Sequence, residues 1–394
     1  MSDVGGNEIK VPEFQTALIT DEMLEKAREL IGVWLRKPTL WPTVSEPISQ
    51  IDIRRWALYS VGDDNPLWSD PDYARNTLWG KTIASPTFLF STLDPAVSPG
   101  LPGVQSIYWG TRWEHFKPVK VGDQITSRTR MIDIKEKTGK HAPRFVIQVI
   151  ESTFVNQREE MVSRIEDDIA RIPRGRSGGG LRGFEEKKKE GRAKYSAEEI
   201  EEIRQAYINE ERRGATPRYW EDVTEGEALP KIVKGPLTLV DIVAFYAGRR
   251  TLYNPLKLAF LERERHPKNV YVSPATGIPV HPAAGHFDIE IAHEIGMPGT
   301  YDQGWMRVSW MGHWVTNWIS DWGFVRKLNV RLTLPNLVGD VTWIKGKVIR
   351  KCVENGEHLV ELECFGQNQR GEKNMDGGAT VRLPSKDPAD NYTF

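Results

Sequence analysis

The sequence predicts an α+β protein made of two copies of one unit, and three observations carry that prediction. The chain has 394 residues, too long for one typical hydrophobic core. Residues from about 12 to 172 mix helical and strand-like patterns, with Val146–Val155 (VIQVIESTFV) β-branched and strand-like. Finally, a set of landmarks in the first half recurs in the second in the same order and at nearly constant spacing.

Composition narrows the function. With 53 Lys+Arg against 54 Asp+Glu the net charge is −1, which excludes the basic footprint of a nucleic-acid binder. A hydrophobic share of 39% and a charged share of 27% exclude wholesale disorder. No apolar run approaches a membrane span, and Met1 to Val11 carries no signal-peptide core, so no membrane partner is expected and a cytoplasmic location is. Cys352 and Cys364 cannot supply a disulfide framework or a four-ligand zinc site. The 14 tryptophans read as aromatic core packing.

Along the chain, the first unit spans 12–172, and 173–218 joins it to a second unit at 219–385. The joining region begins with the Gly-rich, charged run Arg171 to Arg192, which has almost nothing to bury and reads as a solvated linker. A helix follows, opened by the capping-box spacing Ser196-Ala-Glu-Glu199, with Ile200, Ile203 and Tyr207 on one face and Gly214 and Pro217 as stops.

The repeat rests on two landmarks. Pro118-Val-Lys-Val-Gly-Asp123 matches Pro335-Asn-Leu-Val-Gly-Asp340 at an offset of 217. Trp68-Ser-Asp70-Pro-Asp-Tyr-Ala74 matches His286-Phe-Asp288-Ile-Glu-Ile-Ala292 at an offset of 218. Upstream, matching Tyr59 to Tyr246 gives 187, so the second copy carries about 30 extra residues around Arg249–Val280, expected as a surface excursion near the site.

The first copy reads Tyr59-Ser-Val-Gly62-Asp63-Asp64-Asn65-Pro66-Leu67-Trp68, then Ile83-Ala-Ser-Pro86, then Pro118-Val-Lys-Val-Gly-Asp123. This resembles the MaoC-like dehydratases, the (R)-specific enoyl-CoA hydratase family, with its Gly-Asp-x-Asn-Pro-x-His signature. The resemblance covers most of 40–170 and 225–385. It implies a double hotdog, each unit a central helix wrapped by an antiparallel sheet. It also implies hydration or dehydration of an α,β-unsaturated acyl-CoA thioester, with the CoA thioester as substrate and no further cofactor. An Asp and a His activate water, and a backbone N–H at the helix start stabilises the enolate.

Carried over residue by residue, the resemblance makes the first copy non-catalytic. Trp68 stands where the His belongs, and an indole N–H only donates. Pro86 stands where the N–H-donating glycine belongs, and proline has no N–H. Asp63 and Asn65 then read as turn and cap residues. In the second copy His286 falls on the family histidine and Gly304 on the oxyanion glycine. Their spacing of 18 equals that from Trp68 to Pro86. The family Asp is replaced by His281, and Tyr253 or Asn254 from the extra segment is the alternative partner. His286, His281 and Gly304 are therefore the catalytic candidates, and Asp288, Tyr253 and Asn254 the substrate-binding ones. His293 reads as structural.

Gly304 is expected to present its N–H near His286 at the start of the helix carrying the stripe Trp310, Trp314, Trp318 and Trp322, whereas Pro86 is expected to line no catalytic pocket. The stripe reads as core packing, with recognition of a bulky ring-bearing acyl group as the functional alternative. No metal is expected at His281 and His286, which lack helical spacing and an acidic cluster. A catalytically degenerate acyl-CoA-binding or scaffold subunit and a hotdog thioesterase are the competing functions, and a homo-oligomer is left open.

Overall fold

A computed structural model describes residues 18–35, 46–93, 99–138, 144–173, 191–248, 256–265, 270–273 and 276–387. Its strands are β1 (Gln105–His115), β2 (Thr126–Lys137), β3 (Phe145–Val155), β4 (Met161–Ile172), β5 (Ile232–Lys234), β6 (Tyr271–Val272), β7 (Pro279–Val280), β8 (Phe324–Leu332), β9 (Thr342–Glu354), β10 (Glu357–Asn368) and β11 (Lys373–Arg382). Nine of them form one sheet in the order β2-β3-β4-β1-β8-β11-β10-β9-β5, and β6 and β7 form a separate hairpin. Alternation builds this sheet: along β8, Leu328, Val330 and Leu332 are buried while Lys327, Asn329 and Arg331 face outward.

The fold is a double hotdog whose halves meet where β1 pairs antiparallel with β8, from Gly110 opposite Arg331 to Glu114 opposite Lys327. The two halves repeat at the level of single hydrogen bonds. Asp123 accepts from the Lys120 N–H at 2.8 Å, and Asp340 from the Leu337 N–H at 3.0 Å. Each Asp follows a glycine in the left-handed region, Gly122 at φ 94° and Gly339 at φ 101°, a conformation that tolerates few side chains. The Ala84 N–H donates to Val119 O in one half, as Asp302 does to Asn336 O in the other. Asp70 and Asp288 each cap a short helix by accepting two backbone N–H groups, and Ala74 and Ala292 behind them are fully buried.

Upstream, the helix Gln50–Arg54 continues as a π-helical segment to Val61, and it pairs with the helix Leu239–Ala247. Both open with capping boxes, Ser49 with Asp52 and Thr238 with Asp241. Trp56 and Phe245 pack face to tilted face, ring centroids 5.3 Å apart, and both are fully buried. This sets the structural offset at 189 rather than the 187 obtained by matching tyrosines, because Tyr59 is 63% exposed while the face that pairs the helices runs through Trp56 and Phe245.

The halves differ in their middle. The second contains a 16-residue helix, Gly304–Ile319, buried at every position. At the corresponding place in the first half, the described residues hold the short 3₁₀ turn Phe88–Ser91. The single long helix packs against β1, β8 and β11, so strands of both halves share it. Trp310, Trp314 and Trp318 lie on it at 5%, 1% and 3% exposure, in the main core. Trp322 falls past its end, because Ser320 leaves the helix at φ 69°.

The joining region also differs in detail from its expected form. Arg171 and Ile172 belong to β4 and are buried, Arg171 donating to Gln148 Oε1, Leu101 O and Val104 O. The rest of the expected linker, 174–190, lies outside the described residues. The helix after it does begin with the Ser196–Glu199 capping box but ends at Ile208, before Gly214. Glu210 turns inward to a histidine of the central helix, and that contact redirects the chain. In the extra segment of the second half, the helix Leu256–Arg265 and the β6–β7 hairpin are described, with Leu256 84% exposed.

Candidate active site

His286 ends the 3₁₀ turn Pro282–His286, and its ring lies 4.2 Å (centroid to centroid) from that of Tyr301. Its Nδ1 is 3.0 Å from the Tyr301 carbonyl oxygen. A carbonyl only accepts, so Nδ1 carries the proton and donates. The neutral ring therefore keeps its lone pair on Nε2. Burial pushes the His286 pKa down to about 4; the Tyr301 and Asp302 carbonyls oppose that shift and His281 adds to it. The result is an unprotonated imidazole at neutral pH, with its tautomer fixed by the backbone.

Tyr301 stands three residues before Gly304, the first residue of the central helix. Gln303 caps that helix by accepting the Trp305 N–H through Oε1 at 2.7 Å. The Gly304 N–H belongs to the first turn, which has no intrahelical acceptor, and no acceptor takes it among the described residues. Glycine leaves room here: an ideal Cβ would lie 2.7 Å from both Leu332 Cδ1 and Tyr108 Cδ1, so a side chain at this position requires those two side chains to shift. The dipole of 16 aligned peptides places partial positive charge at this end. A buried ion pair, Asp302 to Arg307 at 2.7 Å, fixes the approach to the helix. Tyr246 joins from the helix Leu239–Ala247, its ring 6.1 Å from that of His286.

His281 plays a different part. Its Nδ1 accepts the Ala283 N–H at 3.1 Å, the same bond that Asp63 Oδ1 makes with the Asn65 N–H at 3.1 Å in the first half. The imidazole has replaced the carboxylate as a cap acceptor, so the match in position is a match in turn chemistry. Its ring is exposed. Asp288, also exposed, accepts the Glu290 and Ile291 N–H groups as a helix cap. Those two bonds account for its place in the repeat without a substrate. Tyr253 and Asn254 lie outside the described residues. His293 Nε2 faces the Pro298 carbonyl at 3.2 Å, a local structural bond.

In the first half, Trp68 Nε1 donates to Asp63 Oδ2 at 2.9 Å, closing the motif on itself. Pro86 lines a cavity of about 50 Å³, together with Trp68, Ser85 and His115. Proline still offers no N–H to it.

One charged cluster was not visible in the sequence. Lys234 Nζ lies 2.8 Å from His313 Nδ1, and His313 Nε2 lies 2.9 Å from Glu210 Oε1 and 3.8 Å from Asp63 Oδ1. Asn317 Nδ2 donates to the same Glu210 oxygen at 2.9 Å. Burial lowers the Lys234 pKa, while Glu210 and Asp63 oppose it. His313 and Asn317 are one helical turn apart, a signal legible in the sequence; their partners come from β5, the first-half motif and the end of the helix Ala197–Ile208. Glu210 and Asn317 also line a second cavity of about 410 Å³, whose wall includes Trp314 and Trp318. Trp314 sits about 15 Å along the helix from Gly304, given a rise of about 1.5 Å per residue.

Comparison with known proteins agrees with this fold. Residues 37–165 match the model of the FAS1-like dehydratase domain region. The (R)-specific enoyl-CoA hydratase of Aeromonas caviae is 34% identical over 74 residues, 19% of this chain and 55% of that protein. A UPF0336 protein of Streptomyces avermitilis is 27% identical over 137 residues, 33% of this chain and 88% of its own. A solved MaoC-like dehydratase superposes with a TM-score of 0.60 at 16% identity, covering 91% of this chain and 100% of that one. The chain has the hotdog fold and is similar to the MaoC-like dehydratases. No helix among the described residues is long and apolar enough to cross a membrane.

Proposed function

We propose that the second half hydrates an enoyl thioester, or dehydrates the 3-hydroxyacyl thioester in reverse, with His286 as the base and the Gly304 N–H as the oxyanion donor. The observation that supports this reading is the Nδ1 bond to the Tyr301 carbonyl, three residues before Gly304, which leaves Nε2 as a neutral lone pair. In the hydration direction, Nε2 takes a proton from water as its oxygen bonds to the β-carbon. The π electrons move to the thioester oxygen, where the Gly304 N–H and the helix dipole stabilise the enolate. The imidazolium then returns the proton to the α-carbon, so proton and electron pair balance over the cycle. A low His286 pKa suits that return, because a weak base is a strong acid once protonated.

The thioester carrier is proposed as CoA on the likeness to the Aeromonas caviae enzyme. Trp310, Trp314 and Trp318 are packed into the core, and Trp314 and Trp318 also wall the cavity of about 410 Å³, the place where a ring-bearing acyl group would have to fit. The test is incubation of the whole protein with enoyl-CoA substrates of graded chain and ring size, with products separated by mass. Hydroxyacyl-CoA supports the proposal. Free CoA identifies a thioesterase, and tight binding without turnover across the panel identifies a binding subunit; either result overturns it.

A further inference from the structure

The cavity of the first half is incompletely satisfied, and this points to a second binding site. Its wall holds eight side chains with polar atoms, and six of them already have partners. Asn65 Nδ2 donates to Asp321 Oδ1, and Tyr73 OH donates to Asp321 Oδ2. Trp68 Nε1 donates to Asp63, and Lys117 pairs with Glu160 at 2.7 Å. Thr316 Oγ1 donates to His313 O, and Ser320 Oγ accepts from the Arg218 and Trp322 N–H groups. Two atoms on the wall have no partner among the described residues: His115 Nε2 and Ser85 Oγ. Both residues are more than nine-tenths buried, at 6% and 7% exposure. Buried polar atoms left unpaired are destabilising, so two in one cavity mark a place for an occupant.

The chemistry of that occupant follows from the tautomer. Ser163 Oγ has one hydrogen and donates it to Glu114 O at 3.0 Å. Against His115 Nδ1, 3.2 Å away, Ser163 must therefore accept, and Nδ1 carries the proton. His115 Nε2 is then a bare lone pair on a residue that lines the cavity. Burial and the nearby Arg326 hold this ring neutral, its pKa pushed down to about 3. The wall thus offers one acceptor and one hydroxyl, both uncharged, set among Leu67, Ile83, Leu89 and Phe324. Asp321 and Lys117, the charged groups on it, are already neutralised or hydrogen-bonded. A volume of about 50 Å³ holds a few heavy atoms.

We infer that the first-half cavity binds the hydroxyl end of a small neutral aliphatic molecule, which donates to His115 Nε2 and accepts from Ser85 Oγ. Anions meet a bare lone pair, and the Asp321 carboxylate on the wall already accepts from Asn65 and Tyr73. The site stands independently of the reaction assigned to His286: the halves are the same unit, and this one has lost its catalytic His and N–H but kept the hollow.

The test is ¹⁵N-histidine NMR of the whole protein, following His115 Nε2 during titration with ethanol, acetate or ethylammonium. A saturable shift with ethanol alone supports the proposal. An unmoved resonance with ethanol, meaning water only, overturns it, as does an equal response to either ion. The parent protein decides this without any variant. As a second reading, Ser85→Ala removes a hydroxyl that holds no protein partner, so the fold should survive. It should weaken ethanol binding about threefold or more; unchanged binding would overturn the assignment of Ser85.

Discussion

His286 and His281 lie five residues apart and use their rings in opposite ways. His286 donates from Nδ1 to a carbonyl and keeps Nε2 basic, whereas His281 accepts a backbone N–H at Nδ1. His281→Ala should therefore destabilise the fold by about 1 kcal/mol, as loss of a cap does, while retaining turnover; thermal unfolding and the hydration assay separate the two effects. As the proposed base, His286 would also set the pH dependence of turnover. Its folded pKa, about 4, lies below the ordinary histidine value. Activity should persist on the acid side down to about pH 4 to 5. Because the unfolded chain binds the proton more readily, the His286 contribution to stability falls as pH drops from about 6.5 toward 4. A rate profile whose acid limb sits near 6.5 would contradict the burial of this ring. The candidate His286 was legible because its position survives in the repeat. The role of His281 was not, since a sequence match gives a position and not the direction in which a ring nitrogen points.

At the scale of elements, the proposed oxyanion donor is the first residue of the central helix. Proline is well tolerated at the first helical position, so Gly304→Pro removes the N–H while keeping the helix start. Gly304→Ala keeps the N–H but meets Tyr108 and Leu332 to a similar degree. If the N–H is the oxyanion donor, turnover should fall about a hundredfold or more in the proline variant relative to the alanine one. Equal turnover in both would remove Gly304 from the mechanism. Further along the helix, Trp314 is 1% exposed with its Nε1 donating to Pro230 O. Trp314→Ala should cost about 3 to 5 kcal/mol in chemical denaturation, the loss expected for a large core aromatic. The capping boxes at Ser196, and the strand at 146–155, were legible because local chemistry specifies them. The early end of the helix at Ile208 was not, because it depends on Glu210 reaching His313 across the fold.

For the whole molecule, the two halves share one sheet and one long helix. The offset of 217 to 218 was legible because the same turn, cap and bridge recur in both halves. The asymmetry was only partly so: Trp68 and Pro86 mark where the first half departs from the family motif, but nothing local announces that the 3₁₀ turn Phe88–Ser91 stands where the second half has its helix. The Lys234–His313–Glu210 cluster escaped for the same reason, being assembled from distant elements. Since the first half borrows its helix from the second, a chain ending at residue 190 leaves β1 without β8 and the core without Trp305 and Met311. Such a fragment should lack cooperative unfolding, as judged by near-ultraviolet circular dichroism and denaturant titration.

The central claim is that the second half carries the chemistry through one histidine. Loss of enoyl-thioester absorbance, followed for the parent and for His286→Ala under the same conditions, tests it most directly. The account predicts turnover in the parent and a fall of about a hundredfold or more in the variant, the scale of a lost general base. A His286→Ala protein that hydrates the substrate as fast as the parent would contradict it.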